Sequence, residues 1–421
     1  MDSAQSIEHM AQSKEHSHMH LSAYLQLVLL EMELEGQVEI ARNTSHIEVR
    51  KFCHDIWHKT VPFGKTLIAA NLPTYCPSML TSFKSLENQI YYLKQVKECF
   101  SSIEFFQLEQ EVKLFQDAGL REMKNITTVI IVADRGEVTD KYNEALAQFP
   151  QLFPNINTFA YYHKCPQPKR LCGISSFRYL RDLQLDDIHS RELQKIFQEC
   201  TELEVLTVKK MGGFTCPWVD VLHCHKLRKI LLGCELFQNA AKYILKLIRL
   251  DLLYLSGNRA SMVKGNIATI VSRKSNAITW MFLSILKDSH IDLSECYNLT
   301  YFGFTYSAQE PVIFLPHTVE VLQVQSCDIM PSPFLLNILR QCQRLKTIYL
   351  HYAELNENII YEIADWSEIL HRKSPLEVIY WDNADEMPTS LKSFVASKNR
   401  YITVEKKTFR TNEGCIFIFS C

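Results

Sequence analysis

This sequence has no surplus charge of either sign. Lys plus Arg total 45 and Asp plus Glu 47, a formal charge of −2, so no net field draws the chain to nucleic acid or to an anionic membrane. Glycine (12) and proline (14) are scarce among 421 residues, which excludes collagen-like and loop-dominated classes. No apolar run reaches about 18 residues without a charge, the length a membrane-spanning helix needs. The first twenty residues are polar and histidine-rich, with no apolar segment of the signal-peptide kind.

Familiar chemistry is also missing. There is no G-x-S-x-G elbow, no H-E-x-x-H and no G-x-G-x-x-G. Phe63-Gly64-Lys65-Thr66 resembles the end of a phosphate-binding loop, but position 59 is Lys where that loop needs Gly. The 14 cysteines include no C-x-x-C pair. Cys53-His54 with His58, and His223-Cys224-His225, are dense, yet neither has a partner pair at zinc spacing. His9, His16, His18 and His20 have no cysteine nearby at ligand spacing, so residues 1–20 are read as a disordered tail. Without a secretory route the cysteines are expected reduced and buried as small hydrophobes. On the same ground the sequons at Asn43, Asn125 and Asn298 are expected to be chance matches. A Cys–His nucleophile is not selected by any pairing. These absences give the expectation of a non-enzyme with no metal, no cofactor, no nucleic acid and no membrane among its partners. The location expected is cytoplasmic, or cytoplasmic and nuclear.

Hydrophobic residues make up 47% of the chain, enough for a sizeable core, and they recur. Residues 180–185 read LRDLQL, 203–208 LEVLTV, 227–232 LRKILL and 250–255 LDLLYL, with INTFAY at 156–161 in register upstream. The starts are spaced 24, 23, 24 and 23 residues apart. LTYFGF (299–304), VEVLQV (319–324), LKTIYL (345–350) and LEVIYW (376–381) continue the series, and ITTVII (126–131) precedes it. IEFFQL (103–108) and ITWMFL (278–283) are candidate degenerate units. Relative positions 0, 3 and 5 carry the apolar residues, which face the core from a short strand and the turn entering it, while positions 2, 4 and 6 face the other way. Asn258 and Cys327 stand eight residues into their units, where a small polar side chain can bond the turning backbone.

Helical spacing of apolar residues appears between the strands, at 189–200, 235–248, 333–340 and 355–370. Cys200, Cys224, Cys296 and Cys342 each lie three residues before a repeat's first apolar residue, which marks a tight spot between helix end and strand. A period of 20–29 with this L-x-x-L-x-L core is the leucine-rich-repeat signature. One such unit cannot bury its apolar face alone, so units stack. The fold class expected is an α/β leucine-rich-repeat solenoid, a horseshoe of about ten or eleven units over 101–421 with a C-terminal cap that includes the strand-like Cys415–Phe419 stretch.

Three short helical patterns precede the array. Leu25, Val28, Leu29 and Met32 share one face; Val38, Ile40 and Ala41 form a second pattern; Ile47, Val49, Phe52, Ile56 and Trp57 form a third. Residues 61–100 read as a helical connector, with Leu86, Ile90, Leu93, Val96 and Phe100 at helical spacing.

The array over 126–384 resembles the cysteine-containing leucine-rich repeats of F-box proteins, and residues 21–60 resemble a degenerate F-box. The apolar first helix, the turn Leu34-Glu35-Gly36-Gln37, the Val38–Ala41 stretch and the late Trp57 carry that likeness. Leu21 is followed by Ser22 where the family has Pro. Two readings therefore stay open, an adaptor-docking surface or a bundle that only caps the array. The resemblance implies the substrate-recognition subunit of a cullin-based (SCF-type) ubiquitin ligase. Leu25, Val28, Leu29, Val38 and Ile40 would meet the adaptor, and a protein substrate would lie on the concave strand face. The alternative is an interaction scaffold without adaptor binding. The register places Tyr162, Asp182, Gln184, Asp186, Thr207 and Lys209 on that face in the first half. Tyr254, Tyr301, Gln323, Gln325, Tyr349, His351, Tyr380 and Asp382 follow in the second. Tyrosine combines a large contact area with a polar handle, so Tyr254, Tyr301, Gln323, Tyr349, His351 and Tyr380 are the expected partner-binding set.

Overall fold

The computed structural model describes residues 74–75, 86–133, 140–163, 171, 173–213, 215–256, 264–284, 290–306, 312–326, 332–352, 358–372, 374–382 and 400–408. The expected F-box-like segment, with Leu25, Val28, Leu29, Val38 and Ile40, lies outside them, as do Asn258, Cys327 and Cys415–Phe419. The chain forms two compact units that divide between Cys165 and Pro166. Each is built of parallel strands alternating with helices, an α/β arrangement of solenoid type.

In the first unit the strands are β1 (Thr74–Tyr75), β2 (Ser102–Phe105), β3 (Thr128–Ala133) and β4 (Thr158–His163), paired in parallel in that order. Between them lie α1 (Leu86–Val96), α2 (Leu108–Asp117), α3 (Asp140–Leu146) and α4 (Phe149–Leu152). Phe105, Phe115, Phe149 and Phe153 fill the core, with ring centroids 5.2–6.3 Å apart. Glu111 turns back over the start of α2 and accepts from the backbone N–H of Phe106 and Gln107, both at 3.3 Å. Burial there pushes its carboxyl up to about 7, against the pull of those two N–H groups.

The second unit carries a ten-stranded parallel sheet in the order β5 (Asp182–His189), β6 (Val205–Gly212), β7 (Lys229–Gly233), β8 (Leu252–Ser256), β9 (Trp280–Ser284), β11 (Tyr301–Tyr306), β13 (Val321–Ser326), β14 (Thr347–Tyr352), β15 (Leu376–Asp382) and β16 (Ile402–Thr408). β10 (His290–Asp292) and β12 (Val312–Phe314) pair separately. The amide of Gln341 closes β12 by donating to the Ile313 carbonyl and accepting from the Leu315 N–H, as a further strand would. The helices are α5 (Ser190–Glu199), α6 (Cys234–Ile244), α7 (Lys264–Lys274), α8 (Ser332–Gln341) and α9 (Asn358–Ile369). A 3-10 helix, Pro217–His223, takes the place of an α-helix between β6 and β7 and buries Trp218 against Phe197.

The sequence periodicity has a direct structural counterpart. Leu180, Leu183 and Leu185, Leu203, Leu206 and Val208, and their equivalents through Leu345, Ile348 and Leu350, are all buried. Each such side chain contributes roughly 1.5–3 kcal/mol of transfer free energy. The backbone marks each unit independently. The carbonyl at position 1 accepts from the N–H groups at positions 1 and 2 of the next unit: Glu204 from Arg228 and Lys229, Asp251 from Thr279 and Trp280, Thr279 from Thr300 and Tyr301. ITWMFL at 278–283 is therefore a unit, with Ile278, Met281 and Leu283 buried.

Two registers differ from expectation. The Ser101 carbonyl accepts from Thr127 and Thr128, so that unit begins at Phe100, not Ile103. Phe100, Ile103 and Phe105 are buried, Phe106 is exposed and Leu108 opens α2. At the other end, Val378 pairs with Ile348 and Tyr380 with Leu350, so LEVIYW starts one residue late. Helix α6 also ends earlier than expected, leaving Ile248 90% exposed.

Cys200, Cys224, Cys296 and Cys342 are buried at the strand entries. Three of the thiols point at carbonyls of the preceding unit: Cys200 at Ser175 and Phe177, Cys224 at Phe197 and Cys200, Cys342 at Pro316, at 3.5–3.8 Å. Cysteine suits such a place as a small buried hydrophobe with a weak S–H donor.

Candidate partner-binding face

Parallel strands in register align equal positions side by side, about 4.8 Å apart. Positions 2, 4 and 6, on the face away from the apolar core, therefore form three rows. Row 2 runs Asp182, Val205, Lys229, Leu252, Trp280, Tyr301, Val321, Thr347, Glu377. Row 4 runs Gln184, Thr207, Leu231, Tyr254, Phe282, Gly303, Gln323, Tyr349, Ile379.

The strand spacing suits stacked rings. Tyr254 and Phe282 stack across β8 and β9 with centroids 4.5 Å apart and an interplanar angle of 11°. Trp280 and Tyr301 stack across β9 and β11 at 4.4 Å and 16°. Tyr254 also faces Trp280 at 6.2 Å, joining the two pairs. The Tyr301 hydroxyl donates to Gln323 Oε1. Phe282 is buried and the other three rings are half-buried. Burial pushes the Tyr254 hydroxyl up to about 12, so it is a protonated donor at neutral pH. The stacked faces are turned to each other, and the edges of those rings carry the positive part of the aromatic quadrupole.

Of the expected set, Tyr254, Tyr301, Gln323 and Tyr349 take face positions, and Tyr349 pairs with Gln323. His351 pairs with Gln325 in row 6. Tyr380 does not join the face rows. It pairs with Leu350, and Ile379 holds the place beside Tyr349. The reason is the one-residue offset: a strand with apolar residues in succession fits either register until its neighbour decides. Trp280 and Phe282 complete the ring cluster and were absent from the expected set. Their signal was their place at positions 2 and 4 of ITWMFL.

Charge is distributed unevenly over the face. No Asp, Glu, Lys or Arg occupies rows 2, 4 or 6 on β8, β9, β11, β13 or β14. Charges lie on the flanking strands. Asp186 pairs with Lys209 at 2.8 Å, and Asp182 accepts from Gln184 at 3.3 Å. Burial raises the Asp182 carboxyl, while Gln184 and the distant Lys229 pull it down. Glu377 accepts from Thr347 at 3.1 Å.

The dense Cys and His stretches resolve into separate environments. Cys224 is buried, while the flanking His223 and His225 are exposed and approach the Asp220 and His223 carbonyls. At the end of β5, Thr215 Oγ1 donates to Ser190 Oγ at 2.6 Å. His189 Nδ1 accepts from the Arg191 N–H, which leaves the neutral ring's proton on Nε2 as a donor. Burial pushes Cys200, Cys224 and Cys342 to about 12, and Cys234 and Cys296 to about 11, so these are thiols at neutral pH, not nucleophilic thiolates. Among the described residues no group of three His, Cys, Asp or Glu side chains is placed to hold a metal, and no helix is long and apolar enough to cross a membrane.

No protein-family model matches the chain, and no curated protein sequence matches it.

Proposed function

We propose that this chain is a leucine-rich-repeat substrate receptor of a cullin-based ubiquitin ligase, holding a protein partner on the face of rows 2, 4 and 6. In this reading it does no chemistry itself and contributes proximity, bringing its partner to ubiquitin-transfer subunits. The observation that carries the binding half is the set of half-buried rings Tyr254, Trp280 and Tyr301, stacked with buried Phe282 and followed by Tyr349 on a stretch of face without charged residues. Rigid rings flanked by amide and hydroxyl groups are the composition that protein interfaces use. The ligase half rests on the likeness of residues 21–60 to an F-box and of the cysteine-bearing units to the repeats of that family.

The second reading is a scaffold that holds a partner without an adaptor, favoured by Ser22 in place of the family's Pro. Comparing full-length protein with a Tyr301→Ala/Tyr349→Ala variant tests the shared half. Partners recovered with the wild type should be depleted from the variant and should accumulate in cells when the chain is removed. Accumulation without depletion would move the binding surface elsewhere. Depletion without accumulation would favour the scaffold.

A further inference from the structure

We infer that the partner on this face offers an anionic, acceptor-rich segment, received across β7, β8 and β9 by Lys229, the Tyr254 hydroxyl and the Trp280 indole N–H. The inference rests on the reading that this face binds a protein, and it adds the chemistry of the segment bound.

The three donors lie close by register. Lys229, Leu252 and Trp280 are successive members of row 2, and Leu231 and Tyr254 are adjacent members of row 4. The group therefore spans three strands, about 10 Å. Leu231 is buried and Leu252 half-buried between the donors, giving an apolar floor. All three donors are half-buried, and no hydrogen bond ties the Tyr254 hydroxyl, the Trp280 N–H or the Lys229 ammonium to a described residue. Lys229 has no carboxylate within ion-pair distance among the described residues. Asp182, two strands further along the row, is held by Gln184 and feels Lys229 only through its field.

The patch is thus rich in donors and lacks carboxylates. Rows 2, 4 and 6 carry no carboxylate on β7, β8 or β9. The stacked rings strengthen the bias, since stacking turns electron-rich faces to each other and away from a ligand. The ring faces taken up in these stacks are withheld from a cationic or planar ligand. A carboxylate or a run of backbone carbonyls finds a cation, an O–H and an N–H around an apolar floor, and charge-assisted hydrogen bonds of that kind are the stronger ones.

The test uses the full chain and three labelled pools of extended peptides. Each pool mixes the same apolar residues, supplemented with Asp and Glu, with Lys and Arg, or with Ser and Asn. Fluorescence anisotropy reads binding to wild type, Lys229→Met, Tyr254→Phe and Trp280→Phe, each checked by its melting curve. The expected result is preferential binding of the acidic pool, with about a tenfold loss in Lys229→Met, the size of a lost charge-assisted bond. Smaller losses are expected in the two ring variants, and the wild-type preference should weaken with added salt. Preference for the basic or neutral pool, or acidic-pool binding unchanged in Lys229→Met, overturns the proposal. If basic or neutral binding is lost in Tyr301→Ala/Tyr349→Ala, the face remains a protein-binding surface and only the chemistry assigned to its partner fails. If no pool binds, the proposal fails.

Discussion

The ring of Phe282 occupies the space that a side chain on Gly303 would need. The two residues are paired on adjacent strands, and a Cβ on Gly303 would overlap the Phe282 ring edge and press on Gln323 Cβ. Glycine inside a strand costs conformational entropy and packs nothing. Here its bareness lets Phe282 bury itself beneath the face while stacking on Tyr254. Gly303→Ala should therefore destabilise the second unit by about 1–3 kcal/mol, the usual cost of overpacking. Gly303→Ala/Phe282→Ala should lose less stability than the sum of the two single substitutions, because the overlap disappears with the ring. Denaturant midpoints of both single variants and the double check the coupling, and simple additivity would contradict it.

Tyr301→Phe removes one oxygen and leaves the stacked ring in place. Gln323 is only 7% exposed and would lose this hydrogen bond. The expected loss is about 0.5–1.5 kcal/mol, the net worth of one hydrogen bond. Denaturation curves read it, and a double-mutant cycle of Tyr301→Phe with Gln323→Leu should show coupling between the two residues.

The buried cysteines give a chemical and an alkaline signature. Native protein treated with iodoacetamide at neutral pH should be modified at exposed Cys216 and spared at Cys200, Cys224 and Cys342, as peptide mass spectrometry can show. Their folded pKa values lie above the unfolded ones, so the unfolded chain loses protons first as pH rises. Stability is fully present below about pH 9 and falls between about 9 and about 12. Cys224→Ala should flatten part of that fall.

Glu111 has the same sign at a lower pH. Its carboxyl is raised from 4.5 to about 7 by burial. The folded state binds its proton more tightly, so the Glu111 contribution is largest below pH 4.5 and is lost as pH rises through 7. The melting temperature of the first unit should therefore rise on going from pH 7.5 to pH 5.5. Glu111→Gln keeps an oxygen for the Phe106 and Gln107 N–H groups and should lose this pH dependence.

Much of this architecture is legible in the sequence because burial leaves little freedom. A residue at position 0, 3 or 5 that must be dry announces itself at a period near 23, as Leu180, Leu203, Leu227 and Leu250 do. Registers failed where apolar residues run together. IEFFQL and LEVIYW each satisfy two alignments, and only the neighbouring strand's hydrogen bonds choose between them. β10, β12 and β16 were missed for a different reason. HID and VIF are too short to show a period, and ITVEKKT reads as a polar surface run. The tyrosine row could be counted out from the repeats. The ring stacking could not, because it depends on parallel pairing that sets Trp280 beside Tyr301 and Phe282 beside Tyr254.

Co-expression with the ligase adaptor tests most directly the proposal that this chain links a partner to a ubiquitin ligase. Gel filtration of residues 1–421 should give a stable complex that is lost in Leu25→Asp/Val28→Asp, while the variant retains the melting curve of its repeat units. Absence of a complex at micromolar concentration, or a complex that survives the double substitution, would contradict the proposal and favour an interaction scaffold without adaptor binding.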